Sequence, residues 1–184
     1  LDVAVLNAGV YKIKYAESRY GWEETLQVNV LSTAFIGLLL LQQMKASKRG
    51  NSLPVLEIVS SGNHEDATIS AERRGVGNLL QSYNASNHYN AKEQYRASKL
   101  FAMYIMKTLA SLAKSSDVNS GKPDVLVTSV CPGACKSDLS REYNSFAANI
   151  AKTAISALFL RTTEQGSRTL VSGVTLGEQL RRRV

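Results

Sequence analysis

Three short apolar runs, each ending in small or polar residues and each followed by a long stretch of different pattern, constrain this chain more than any other feature. Val3-Ala-Val-Leu6 stops at Asn7-Ala-Gly9, Pro54-Val-Leu-Glu-Ile-Val59 runs into Ser60-Ser61-Gly62, and Asp124-Val-Leu-Val-Thr-Ser-Val130 ends at Cys131-Pro-Gly133. Largely continuous apolar runs, rather than alternating ones, are what strands buried on both faces look like. Strands that alternate with helices build a parallel sheet with helices on both faces. Ligands of such sheets bind beyond the carboxyl ends of the strands. Three polar strand ends therefore open on one crevice.

Between the runs the pattern is mostly helical. From Trp22 to about Ser47, Leu26, Val30, Thr33, Ile36 or Gly37, Leu40 and Met44 recur at three- and four-residue steps. The apolar run Leu31 to Leu41 contains Ser32, Thr33 and Gly37, and reads as a buried stretch of an amphipathic helix rather than a membrane span. Lys92 to about Ala113 is a second helix, its buried side marked by Leu100, Met103, Tyr104, Met106 or Lys107, and Leu109 or Ala110. Met103 and Met106 read as core filler. Helices are also expected from about Ser145 to Leu160 and from about Thr163 to Ser172, after a loop through Arg141. Tyr11 to Tyr20 reads as a loop. His64 to Asn90 is polar and weakly periodic, an insertion with one or two helical turns at most; loops of that length are commonly lids or binding segments.

The second of these helices carries chemistry. Tyr95-Arg-Ala-Ser-Lys99 puts a phenol and an ammonium on one helical face, one turn apart. A free tyrosine titrates at about 10 and transfers protons poorly at neutral pH. A neighbouring positive charge favours the phenolate, so Lys99 is expected to lower the Tyr95 pKa toward the working range.

Composition narrows the function classes. With 184 residues, 44% hydrophobic and 20% charged, the chain can bury a sizeable core as one soluble domain. The net charge is +7, but apart from Arg181-Arg182-Arg183 the basic residues are scattered, without interleaved aromatics, which argues against a nucleic-acid partner. The two cysteines, Cys131 and Cys135, and the two histidines, His64 and His88, make a poor metal set, and no metal site is expected. Both thiols are expected buried and reduced, which fits a cytoplasmic protein.

Taken together and in order, Asn7-Ala-Gly9, Asn29 in Gln27-Val-Asn-Val30, Ser61, Tyr95-x-x-x-Lys99 and Pro132-Gly-Ala-Cys-Lys-Ser137 resemble the short-chain dehydrogenase/reductase family, in its retinol-dehydrogenase-like and fungal branches. The resemblance covers Asp2 to about Gly177. It implies an α/β fold, a Rossmann-like doubly wound parallel sheet, and an oxidoreductase that interconverts a carbonyl and an alcohol with NADP or NAD, NADP being slightly favoured. Tyr95 would be the acid or base, and Lys99 would tune it and bond the nicotinamide ribose. Ser61 would hold the substrate oxygen. Asn29 would interrupt its helix and hold a water linked to Lys99; the competing reading is a buried asparagine bonded to backbone. Asn7, Ala8 and Gly9 would line the adenosine side, with Asn7 equally readable as purely structural. Pro132, Gly133 and the backbone near Cys135 would border the nicotinamide, and Ser137 would reach its carboxamide.

The family's glycine-rich phosphate turn, T-G-x-x-x-G-x-G, is not in this sequence. The expectation is therefore a partial Rossmann-like domain spanning residues 1–184, the catalytic half, lacking its first βαβ unit and abbreviated at its end. The alternative is an inactive fragment or pseudoenzyme unable to hold the dinucleotide. Val3–Leu6 would then be an exposed apolar edge. The implied partners are a small carbonyl or alcohol substrate and a second copy of the chain, since many relatives are oligomers.

Overall fold

The structure, a computed structural model, describes residues 1–47, 53–75, 77–115, 123–140, 142 and 160–181, with side chains described as far as 175 except at 140. β1 (Val3–Leu6), β2 (Val55–Val59) and β3 (Leu126–Val130) form one parallel sheet in the order β1-β2-β3. The register pairs Leu6 with Ile58 and Val59 with Val130, so the three carboxyl ends finish side by side. The α/β class read from the continuous apolar runs is the class observed.

Helix α1 (Glu24–Ala46) follows β1. Glu23 caps it, its carboxylate accepting from Leu26 N at 3.0 Å. Gln94 donates to the same carboxylate at 2.7 Å and to the Tyr83 carbonyl at 3.0 Å, so one buried amide ties three segments together. Residues Gln27–Ser32 are wound as a π-helical turn, with Asn29 inside it. The wider turn shifts the buried stripe to Leu26, Asn29, Val30, Thr33, Gly37, Leu41 and Met44. Gly37, not Ile36, is the buried member of the expected alternatives, because the Leu109 side chain sits where a larger residue would reach. The amphipathic expectation holds on one face only. By length and composition α1 could cross a membrane, yet it packs on β1, β2 and the helix that follows the insertion; its outer face exposes Phe35, Ile36, Leu38 and Leu39.

The insertion is more helical than expected. Two α-helices, α2 (Ala71–Gly75) and α3 (Leu79–Asn84), and two short 3₁₀ turns, Gly62–His64 and Ser86–His88, lie among its described residues. Its anchor is Tyr83, buried edge-on against Phe101 with ring centroids 5.5 Å apart and covered by the Arg73 guanidinium. One aromatic anchor leaves no periodic signal in a sequence.

Helix α4 (Ala91–Leu112) starts at Asn90, whose side chain accepts from Lys92 N and Glu93 N at 3.1 Å. Its buried face differs from the expected one. Gln94, Tyr95, Ser98 and Lys99 are buried beside Ala97, Phe101, Ala102 and Leu109, whereas Tyr104 is exposed. Apolar periodicity pointed elsewhere because the first half of the buried stripe is polar. Met103 and Met106 are only partly buried; Met106 lies against the core and the Met103 sulfur receives the Ser129 hydroxyl at 3.4 Å.

The core lies between the sheet and α1 and α4: Leu41, Met44, Leu56, Ile58, Ala102, Leu109, Ala113 and Val125. The opposite sheet face carries α5 (Thr163–Arg181), longer than the expected Thr163–Ser172. Gly173 brings α5 flush onto the Glu57 carboxylate, which occupies the place a Cβ would take. The helix expected at Ser145–Leu160 lies outside the described residues save for Leu160, and a 3₁₀ turn, Asp138–Ser140, sits in the preceding loop.

Candidate active site

At the carboxyl ends of the strands, the first turns of α4 deliver Tyr95 and Lys99 inward, each only 7% exposed. Lys99 Nζ donates to the carbonyl of Val59, the last residue of β2, at 3.2 Å. Ser60 bonds the Lys99 carbonyl at 3.4 Å. The strand end and the helix are thus stitched together through both ends of Lys99. Ser61 follows directly; its hydroxyl is close enough to the Tyr95 phenol to favour the ionised form, and it also caps the turn at Gly62–His64 by accepting from Asn63 N at 3.3 Å. His64 Nδ1 lies 2.6 Å from the Ser61 carbonyl oxygen.

Asn29 enters from the π turn of α1, and its amide is fully used. Oδ1 accepts from Val10 N at 2.9 Å, while Nδ2 donates to the Val10 carbonyl at 2.9 Å and to the Ser98 hydroxyl at 3.0 Å. Ser98 in turn donates to the Tyr95 carbonyl at 2.8 Å. This is the backbone-bonded arrangement that competed with the water-holding one. Gly9 lies beside it: a Cβ there would stand 3.5 Å from Asn29 Oδ1 and 3.7 Å from Lys99 Nζ.

The electrostatics depart from expectation. Lys99 does not make the phenol acidic. Burial raises the Tyr95 pKa above its ordinary value and outweighs the Ser61 hydroxyl, which lowers it; a charged Cys131 would raise it further. Burial likewise lowers the Lys99 pKa to about 8. The two groups share one dry environment, and the ammonium, 5.6 Å from the ring centroid, is turned toward the strand carbonyl. Desolvation therefore acts on each more strongly than they act on each other.

Other expected residues divide. Cys131 is exposed rather than buried, and its sulfur receives the Gly62 and Gly133 backbone N–H groups at 3.2 and 3.4 Å, linking the β3 end to the Ser61 turn. Gly133 has φ +79°, a conformation that favours glycine. Pro132 is half-buried next to it. Cys135 is partly buried, its sulfur facing Gly166 of α5 rather than the cleft. Ser137 is exposed and accepts from Leu139 N at 3.4 Å; no contact among the described residues joins it to Tyr95 or Lys99. Asn7 and Ala8 are exposed at the end of β1, and Asn7 makes no side-chain hydrogen bond among the described residues. No His, Cys, Asp and Glu cluster suited to a metal occurs among the described residues. Sequence reasoning missed Tyr11, whose ring meets Tyr95 edge-on at 4.9 Å. It lies in a non-periodic loop, and nothing local signals the contact.

Parallel strands with buried Tyr95 and Lys99 and the half-buried Ser61 at their carboxyl ends can be compared with known proteins. The chain is 38% identical over 180 residues to the short-chain dehydrogenase/reductase ffsI of Aspergillus flavipes, covering 97% of this chain and 50% of that protein. It is 39% identical over 178 residues to the short-chain dehydrogenase/reductase phmF of Phaeosphaeria nodorum, covering 96% and 50%. Against the short chain dehydrogenase atnD of Emericella nidulans the figures are 36% over 190 residues, 98% and 58%. The chain thus spans about half the length of the curated relatives it matches. No family model matches. Among solved structures, a 4-hydroxyisoleucine dehydrogenase complexed with NADH superposes with a TM-score of 0.53 at 16% identity, over 98% of this chain and 62% of that one. A short-chain dehydrogenase/reductase from Brucella melitensis gives 0.52 at 16%, over 96% and 58%. These two share the fold. Over nearly its whole length the chain is similar to fungal short-chain dehydrogenases/reductases.

Proposed function

We propose that this chain carries the proton-transfer residues of an NAD(P)-dependent oxidoreductase that interconverts a carbonyl and an alcohol. The observation that carries the reading is the buried Tyr95 phenol beside the Ser61 hydroxyl, on the helix turn that also anchors Lys99 to the end of β2. A phenol whose pKa is raised is protonated at neutral pH, which is the state that donates a proton to a forming alkoxide. Ser61 donates to the same oxygen and favours its developing charge. In the alcohol-oxidising direction Tyr95 must lose its proton, and the Ser61 hydroxyl, which favours the ionised form, then stabilises the phenolate.

The nicotinamide dinucleotide, NADP or NAD, supplies the hydride. The described residues fit its nicotinamide end. Gly9 leaves space beside Lys99 Nζ, Pro132 and Gly133 would border the nicotinamide, and Lys99 would bond a ribose hydroxyl. Asn7 and Ala8 would contact the dinucleotide farther along; the backbone near Cys135 would border the nicotinamide and the Ser137 hydroxyl would reach its carboxamide. Asn29 acts as a positioning residue, through Val10 and Ser98. The substrate is a small carbonyl or alcohol compound.

The test is Tyr95→Phe assayed with a panel of ketones and aldehydes. Turnover should fall at least about 100-fold, the scale of a lost general acid, while dinucleotide affinity stays within about twofold. Retained turnover overturns the reading. Failure of the unmutated chain to bind NADPH or NADH more tightly than about 10 micromolar, near −7 kcal/mol, favours the alternative of a protein that keeps the pocket without the cofactor.

A further inference from the structure

The loop after β1 is a strap held through four of its residues, Val10, Lys12, Ile13 and Tyr15. Asn29 holds Val10 through both its N–H and its carbonyl. Lys12 pairs with Glu24 of α1 at 2.9 Å and with Glu142, and the Glu142 carboxylate also accepts from Ile13 N at 3.1 Å. The Tyr89 hydroxyl donates to the Lys12 carbonyl at 2.6 Å, and the Tyr89 ring meets Tyr15 edge-on at 5.9 Å. Lys12 is 20% exposed and Glu142 26%, so this ion pair is more shielded than the usual surface pair. The strap therefore links β1, α1, the end of the insertion and the loop after β3.

The ring carried by this strap is Tyr11. It stands 4.9 Å from the Tyr95 ring at an interplanar angle of 61°, the edge-to-face geometry that aromatic pairs prefer. Tyr95 has Lys99 and Ser61 as its polar neighbours and Tyr11 as its aromatic one.

We propose that Tyr11 is a positioning residue for the catalytic phenol: clamped by the strap, its ring fixes the Tyr95 ring and keeps water from it. The catalytic meaning of this inference rests on the reading of Tyr95 as the acid or base; the contact itself does not. Burial is the largest influence on the Tyr95 pKa and raises it. A residue that supplies part of that burial sets how firmly the proton is held.

The experiment places a difluorotyrosine at position 95, whose phenol titrates nearer neutrality, and follows its ¹⁹F resonance with pH in the full chain. Replacing Tyr11 by alanine (Tyr11→Ala) should lower the titration midpoint by at least about half a pH unit, a threefold change in acidity. Tyr11→Phe keeps the ring and should restore the original midpoint. Tyr11→Val, whose short side chain also uncovers the Tyr95 ring, serves if the alanine variant does not fold; it should lower the midpoint in the same direction. A midpoint unmoved in a folded Tyr11→Ala or Tyr11→Val protein overturns the proposal. Turnover separates the two readings. Tyr95→Phe decides the proton-transfer assignment, whereas Tyr11→Ala should lower kcat about tenfold and move the basic limb of the pH–rate profile together with the ¹⁹F midpoint. Loss of turnover in Tyr95→Phe with an unmoved ¹⁹F midpoint in Tyr11→Ala leaves the enzyme reading intact and removes this one.

Discussion

Asn29 shows how one side chain can tie distant segments together. Asparagine is a poor helix former, and here it sits buried within a helix because its amide bonds Val10 twice and Ser98 once. Asn29→Ala strips three hydrogen bonds from a buried position and should cost about 2–3 kcal/mol of stability, read as a shift of the urea midpoint; an unchanged midpoint would mean that the strap is held without it. Gly133 makes a second argument at this scale. At φ +79° it occupies the left-handed region, so Gly133→Ala should destabilise by about 1–2 kcal/mol. The pairing of Tyr95 with Lys99 was legible in the sequence because four residues make one helical turn. The direction of the Tyr95 shift was not, because spacing says nothing of how dry a phenol is.

At the scale of elements, α5 lies on β2 through Gly173 and Glu57. Glu57 is fully buried in the central strand, neither carboxylate oxygen has a hydrogen-bond partner among the described residues, and burial raises its pKa to about 7. Thr128, its register partner on β3, tempers the rise without completing a hydrogen bond. The folded protein therefore prefers the protonated acid. That contribution to stability is complete below the ordinary value of 4.5 and is lost as pH rises through about 7. Glu57→Gln removes the dependence. The glutamine variant should match the wild type near pH 4 and exceed it by about 3 kcal/mol at pH 8; denaturation curves at the two pH values that differ equally would refute the assignment. The π turn of α1 belongs to this scale as well. An interruption at Asn29 was implied by the family resemblance, and nothing in Gln27–Ser32 says locally that the helix continues with a wider turn.

Among the described residues one flank is apolar. β1 is an edge of the described sheet, with Val3 and Val5 exposed to 42% and 38%, and the outer face of α1 adds Phe35, Ile36, Leu38 and Leu39. Edges and patches of this kind drive association. The protein should self-associate in the micromolar range, and Val5→Lys combined with Leu39→Lys should shift it toward monomer in sedimentation velocity; a chain that is monomeric before the substitutions would contradict this.

What the sequence determined by itself was the set of things written in local pattern. Continuous apolar runs marked the three strands, their alternation with helical stretches set the parallel sheet, and one helical turn joined Tyr95 to Lys99. Tertiary structure alone decided which groups share a dry space. It turned the polar face of α4 inward, brought Tyr11 onto Tyr95, exposed Cys131 and buried Glu57. The reason is that burial and contact between segments distant in the chain depend on how whole elements pack, and packing leaves no periodicity for a sequence to show.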